Sequence, residues 1–236
     1  RAVTHCAVSV YGWEVLGICK ATLGLMSDPL QVMHLDPDKV DRWLTMGGTM
    51  LGTTNKGDPF AFPMPDGTKS DRSEDIIKGY NQLGLDALIG IGGDGSLAIL
   101  RKLAQQGGIN LVGIPKTIDN DVGSTERSIG FDTAVNIATE ALDRLHFTAA
   151  SHNRVIVVEV MGRDAGHIAL NAGIAGGAHI ILIPEIAYDL EKLSDFLTKR
   201  QAQGRDYSII VVSEAVCTET GETIQQIQQA EERRLG

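Results

Sequence analysis

Runs of consecutive apolar residues dominate the chain's pattern. They fall at Glu14–Cys19, Asp86–Ile91, Asn110–Ile114, Arg154–Val160, His179–Ile183 and Ser208–Val212. Continuous, β-branched apolarity over about five to seven residues predicts strands buried on both faces, hence a parallel sheet. Between these runs, apolar positions recur three and four apart at Asp38–Leu44, Ser73–Leu83, Ser96–Gln106, Asp132–Phe147, Ala165–Ala175 and Leu190–Gln203. That spacing predicts amphipathic helices, and the alternation predicts a β-α-β-α order throughout. Ser73, followed by Glu74 and Asp75, predicts a capped helix start. Lys56–Arg72 holds three prolines and two glycines. It reads as a long surface loop, either a lid or an insertion of no consequence. The Gln- and Glu-rich stretch from Glu219 to Leu235 reads as a polar helix.

Composition narrows the class. The chain has 236 residues, 43% apolar and 22% charged, enough for one large domain or two modest ones with a real core. A disulfide-stapled mini-protein and a disordered tail are excluded. The 27 glycines exceed ordinary usage and point to tight turns where backbone approaches something closely. A net charge of −9 argues against nucleic acid as a partner, which needs a basic surface. Cys6, Cys19 and Cys217 lack any zinc or CxxC spacing and read as reduced thiols of a cytoplasmic protein. No apolar run reaches transmembrane length, so no membrane partner is expected.

The chemistry is concentrated after the strands, where open α/β sheets bind ligands. Gly92-Gly93-Asp94-Gly95-Ser96 follows the second run, and Pro115-Lys116-Thr117-Ile118-Asp119-Asn120-Asp121 follows the third. Met161-Gly162-Arg163-Asp164, Pro184-Glu185 and Ser213-Glu214 follow the next three. Gly90 to Gly95 fits G-x-G-x-x-G, a weak dinucleotide signal by itself. A carboxylate facing pyrophosphate is repelled unless a metal lies between them. The string therefore reads as a phosphate loop at a helix N-terminus, with Asp94 holding Mg²⁺, against the plainer reading of a Gly-rich turn. Asp119 is a candidate base for phosphoryl transfer and Asp121 its supporting or metal-binding neighbour, against an Asx-rich turn. Arg154 and Arg163 suit bidentate phosphate binding, and Glu214 suits sugar hydroxyls; the plainer reading is surface ion pairs. His152, His167 and His179 have no metal-ligand spacing and read as structural. Met161 taken alone reads as core filling.

Taken together the strings are specific. GGDGS at Gly92–Ser96, PKTIDND at Pro115–Asp121, SIGFDTA at Ser128–Ala134 and SHNRVIVVEVMGRD at Ser151–Asp164 occur in this order. The joint pattern closely resembles the 6-phosphofructokinase family, from Arg1 to about Glu219. The resemblance implies two similar three-layer α/β/α domains with mainly parallel sheets. Residues 1–130 would bind the phosphoryl donor and residues 131–236 fructose 6-phosphate. The implied glycolytic reaction is Mg²⁺-dependent transfer of the ATP γ-phosphate to the sugar's 1-hydroxyl, giving fructose 1,6-bisphosphate.

The resemblance also implies roles by position. Asp119 would be the base, with Thr117 and Asp121 beside it and Arg163 at the transition state. Gly92, Gly93, Asp94, Gly95 and Ser96 would line the donor phosphates, together with Lys56 and Lys116. Thr117, Asp119, Met161, Gly162, Arg163 and Glu214 would touch the sugar phosphate. Arg154 would reach a neighbouring subunit's site, implying a homodimer or homotetramer. Pyrophosphate-using members typically carry Asp where Gly95 stands and Lys where Lys116 stands, so the donor motif is mixed. The open space at Gly95 favours ATP, and pyrophosphate is the alternative. Asn55 stands where many ATP-using relatives have an arginine, with Lys56 as its stand-in. His5, His146 and His179 stand where charged effector ligands are expected, which puts nucleotide regulation in question. The family's first strand and donor loop would precede Arg1, and further sugar-phosphate residues would follow Gly236. The chain therefore reads as part of a longer protein. Other readings are a kinase with a GGDG loop acting on NAD or lipid, which lacks the TIDND and MGRD clusters, and a non-catalytic binding subunit or inert fragment.

Overall fold

The computed structural model describes residues 1–54, 57–219 and 221. Asn55, Lys56 and nearly all of the 219–235 stretch lie outside the described residues. The order is α1 (Ala2–His5), a π turn (Cys6–Val10), β1 (Val15–Ile18), α2 (Leu23–Met26), β2 (Val32–Leu35) and α3 (Pro37–Asp41). A 3₁₀ turn (Pro59–Ala61), β3 (Phe62–Pro63), β4 (Lys69–Ser70), α4 (Ser73–Gln82), β5 (Leu88–Gly92), α5 (Asp94–Gly107), β6 (Leu111–Thr117) and β7 (Ile129–Gly130) follow. Then come α6 (Phe131–His152), β8 (Val155–Val160), α7 (His167–Ala175), β9 (Ile180–Leu182), α8 (Leu190–Ala202) and β10 (Ser208–Ser213). All six apolar runs are strands and all six amphipathic stretches contain helices. The class is α/β. By contacts the chain divides into Arg1–Gly90 with Gly95–Gly113, and Ile91–Asp94 with Ile114–Gly236.

The first unit is built around Leu25, Ile76 and Leu103, with Ile18, Phe60 and Leu83 packed on them. Its first strand departs from expectation: β1 pairs antiparallel with β2, Val15 opposite Leu35 and Ile18 opposite Val32. The short β2 run, interrupted by His34, carries too weak an apolar signal to be recognised alone. Gly79 lets α4 lie against α2, because a Cβ there would overlap the Leu25 carbonyl. Ser73 does not cap α4. It is buried and takes a hydrogen bond from Gln106, while Asp71 accepts the Ser73 backbone N–H at 2.9 Å. The 57–72 segment is not a structureless loop. Asp58 caps its 3₁₀ turn by accepting from Phe60 N at 3.0 Å, and Phe62 and Pro63 pair antiparallel with Ser70 and Lys69. Phe60 anchors this hairpin in the core, which the proline content had masked.

The second unit holds a parallel sheet ordered β8-β10-β9. Leu142, Ala149, Ala169, Ala172, Ile209 and Val211, none of them exposed, form its core. The central strand β10 is buried at all six positions, as continuous apolarity predicts. None of the other long strands is buried throughout. Val155 and Val157 of β8 are 50% and 58% exposed, and Ile91 and Val112 are 55% and 56% exposed. Among the described residues nothing covers these side chains, so the expected burial on both faces does not hold for β5, β6 and β8. Helix α6 runs to His152, five residues past the expected Phe147, because Ala149 is packed in the core. It ends on Asn153 in the left-handed conformation.

Candidate active site

The site grows from the ends of β6, β8 and β10 and the start of α5. Within the second unit, Gly92 ends β5, Gly93 follows it and Asp94 opens α5. A Cβ on Gly93 would sit 3.9 Å from Thr117 Cβ, so the glycine loop runs beside the end of β6. Asp94 is exposed in the first turn of a fourteen-residue helix, where the backbone N–H groups are unpaired and favour anions. Gly95, next in the helix, is exposed, and a Cβ there would meet nothing within 4 Å. Ser96 follows in the same turn and is exposed.

Asp119 lies just past β6 and is locked to it by one threonine. Thr117 Oγ1 accepts Asp119 N–H at 3.1 Å and donates to Asp119 Oδ2 at 3.4 Å. Burial pushes the Asp119 carboxyl above the ordinary aspartate range, and the charge of Asp121 adds to the rise. Thr117 opposes it by hydrogen bonding. Glu214 raises it further, and Arg163 lowers it. These influences mean that β6, β8 and β10 deliver Thr117, Asp119, Asp121, Arg163 and Glu214 to one neighbourhood. Arg163 has an exposed side chain and pairs with Asp164 at 3.0 Å, which, with Asp119 and Asp121, holds its guanidinium charged. A base kept ionisable above its usual range, next to a cation, can accept a proton and leave the developing charge neutralised.

The Met161–Gly166 turn is held from three sides. Ser213 Oγ, fully buried, donates to Gly162 O at 2.7 Å. Glu214 Oε1 lies 3.4 Å from Gly162 N, and Glu185 Oε1 accepts Gly166 N at 2.9 Å. Gly162 has φ of +145°, a conformation L residues rarely adopt. Ser213 and Glu185 were visible in the sequence only as polar residues after strands. Their contacts to a distant glycine backbone have no local pattern. Met161 is 53% exposed, so it is not core filling.

The remaining candidates fall as follows. Lys116 is exposed near the end of β6, and Arg154 is exposed just before β8. Lys56 lies outside the described residues. Among the described residues no group of three His, Cys, Asp or Glu side chains could hold a metal, and no helix is long and apolar enough to cross a membrane. Mg²⁺ on a phosphate needs only one or two protein carboxylates, and exposed Asp94 meets that requirement. The histidines are tied into structure. His146 Nε2 lies 2.7 Å from Gly176 O, His179 Nδ1 accepts Ile209 N–H at 2.9 Å, and His5 pairs with Asp41.

A protein from Synechocystis sp. named ATP-dependent 6-phosphofructokinase 1 is 70% identical over 236 residues, all of this chain and 65% of its own length. One of the same name from Nostoc sp. is 72% identical over 224 residues, 95% of this chain and 62% of its own. The chain thus spans just under two thirds of these relatives. Pichia pastoris phosphofructokinase in the T-state superposes with a TM-score of 0.82 at 29% identity, over 100% of this chain and 28% of that one. A pyrophosphate-dependent phosphofructokinase from Marinobacter aquaeolei gives 0.73 at 22% identity, over 94% of this chain and 57% of that one, a likeness of fold. The Phosphofructokinase family model matches residues 1–236, so the chain belongs to the phosphofructokinase family.

Proposed function

We propose that this chain carries the phosphoryl-transfer centre of an ATP-dependent 6-phosphofructokinase. The observation that carries the reading is Asp119, held by Thr117 at the end of β6 with its carboxyl raised by burial and Asp121. Asp119 takes the proton of the 1-hydroxyl of fructose 6-phosphate. The freed oxygen attacks the γ-phosphorus of ATP, the bond to the β-phosphate bridging oxygen breaks, and ADP leaves. Arg163 offsets the charge on the transferring group. Thr117 and Asp121 support the base, and Met161, Gly162, Arg163 and Glu214 hold the sugar phosphate. The 92–96 loop receives the donor phosphates, with Lys56 and Lys116 as cations. Asp94 would hold Mg²⁺, whose contribution is to neutralise phosphate oxygens. Residues 1–130 serve the donor and 131–236 the sugar.

Two observations bear on the donor. The open space at Gly95 leaves room for a nucleotide, and the 70% and 72% identical relatives are named as ATP-dependent. Lys116 is the feature that favours pyrophosphate as a second reading. A cytoplasmic homo-oligomer, with Arg154 reaching a neighbouring site, completes the proposal; light scattering on the full-length protein tests the oligomer. The deciding assay measures fructose 1,6-bisphosphate formation by the full-length protein with ATP or pyrophosphate. ATP-driven turnover that D119S abolishes, with sugar-phosphate binding intact, is the expected result. Turnover with pyrophosphate alone refutes the donor assignment, and full turnover in D119S refutes the base.

A further inference from the structure

We infer that Asn120 and Ser128, neither of which is a ligand in the reading above, form a clamp that sets the position of the Asp119 carboxylate. The inference rests on Asp119 being the base, and it concerns what aims it.

Asn120 follows the base directly and is one of few non-glycine residues with positive φ, at 55°. An asparagine tolerates this left-handed conformation better than most residues, but it still costs free energy unless the surroundings enforce it. Here the conformation turns the carboxamide back across the loop. Asn120 Oδ1 accepts Ser128 N–H at 2.8 Å, and Asn120 Nδ2 donates to Glu126 O at 3.1 Å. Ser128 is buried, 5% exposed. Its hydroxyl hydrogen is shared between Thr117 O at 2.8 Å and Asn120 Oδ1 at 3.2 Å.

The bonds close a ring. Asp119 is held by Thr117, Thr117 by Ser128, and Ser128 by Asn120, which is covalently joined to Asp119. The strand after Ser128 then fixes the ring to the sheet: β7 runs parallel to β6, with Lys116 opposite Ile129 and Thr117 opposite Gly130. A loop of eleven residues, 118–128, between β6 and β7 is thus cross-braced by one side chain. Without the brace, Asp119 keeps its contact to Thr117 but loses the geometry that holds it near Asp121, Glu214 and Arg163. Asn120 and Ser128 are positioning residues. Each acts through Asp119 and touches no reacting atom.

The test uses the full-length protein. Asn120→Gly removes the carboxamide while permitting the left-handed backbone. A misplaced base predicts a loss in kcat of about 10²-fold, with little change in KM for fructose 6-phosphate. The acid limb of the kcat–pH profile moves to lower pH, because the released carboxylate is better hydrated and farther from Asp121. Asn120→Asp keeps the acceptor for Ser128. It retains most of kcat, and its acid limb moves up because a carboxylate is added beside the base. Ser128→Ala keeps the backbone N–H bond to Asn120 and gives a smaller loss than Asn120→Gly, which secures the test should the glycine variant fold poorly. Asn110→Ala breaks a bond to Asp86 O elsewhere and leaves the acid limb in place. Asn120→Gly with unchanged kcat and acid limb overturns the clamp, as does Asn120→Asp as inactive as Asn120→Gly. Full activity in Asp119→Asn instead overturns the base, so the two failures are distinguishable.

Discussion

Gly162→Ala is the sharpest perturbation of the site's architecture. The glycine has φ of +145°, and a Cβ built on it would overlap Ser213 Oγ and sit 2.7 Å from Ala165 O. Neither overlap can be relieved by a flexible side chain end. Ala165 presents backbone, and the Ser213 hydroxyl must abandon a buried hydrogen bond to Gly162 O at 2.7 Å. Backbone strain of this kind costs about 1–3 kcal/mol. Leaving the buried bond unmade costs about 1–3 kcal/mol more. A loss of roughly 2–6 kcal/mol is expected, a large share of an ordinary domain's 5–15 kcal/mol. Urea unfolding measures it as a lower midpoint at unchanged slope. Because the turn carries Met161 and Arg163, kcat/KM for fructose 6-phosphate should fall at least about tenfold. Ser213→Ala removes one of the two overlaps, so the double variant should be more stable than the two single losses predict. A single-variant loss below about 1 kcal/mol, or strict additivity in the double, refutes this account of the turn.

Other expectations follow from the same geometry. Burial and then the charge of Asp121 raise the Asp119 carboxyl, so Asp121→Asn should move the acid limb of kcat to lower pH; an upward move contradicts the assignment. Asp119 titrates higher folded than unfolded, so its ionisation opposes folding, and stability falls as pH rises from the unfolded through the folded value. Asp119→Asn should therefore gain stability near neutral pH, lose that gain in acid, and show no turnover, read by thermal melts across pH. Gly79→Ala should cost about 1–3 kcal/mol by driving α4 off the Leu25 backbone, with KM unchanged.

Legibility in the sequence followed the range of the forces involved. Strands such as β10, whose apolar run is buried throughout, were readable because one local signal decides them. The antiparallel partner of β1 was not, since β2 has four residues and joins β1 through α2, whose Leu25 packs in the core with Ile18. Prolines in 57–72 read as loop, yet Phe60 reaches the core and pulls the segment into a hairpin. The candidate chemistry was readable as types: Asp119, Asp121, Arg163 and Glu214 each follow a strand. Their supports were not. Ser213 to Gly162 and Glu185 to Gly166 join backbone to side chain across 51 and 19 residues, with no periodicity to betray them.

The charge at the site completes the physical picture. Asp119 faces two carboxylates that raise its proton affinity and one arginine that lowers it. Arg163 is itself shared with Asp164. Before any substrate binds, this neighbourhood holds more negative than positive charge, matching the net −9 of the whole chain. Burial first, and that excess second, raise the proton affinity of Asp119, and the same excess repels phosphate. The opposing demands are met if charge is supplied with the ligand. On the proposed reading, a divalent cation held by exposed Asp94 would supply that charge and neutralise phosphate. A permanent cation in its place would lower the Asp119 carboxyl and weaken the base. On the proposed reading, having few lysines and arginines beside Asp119 keeps its proton affinity high, and the acidic composition is compatible with handling two anions.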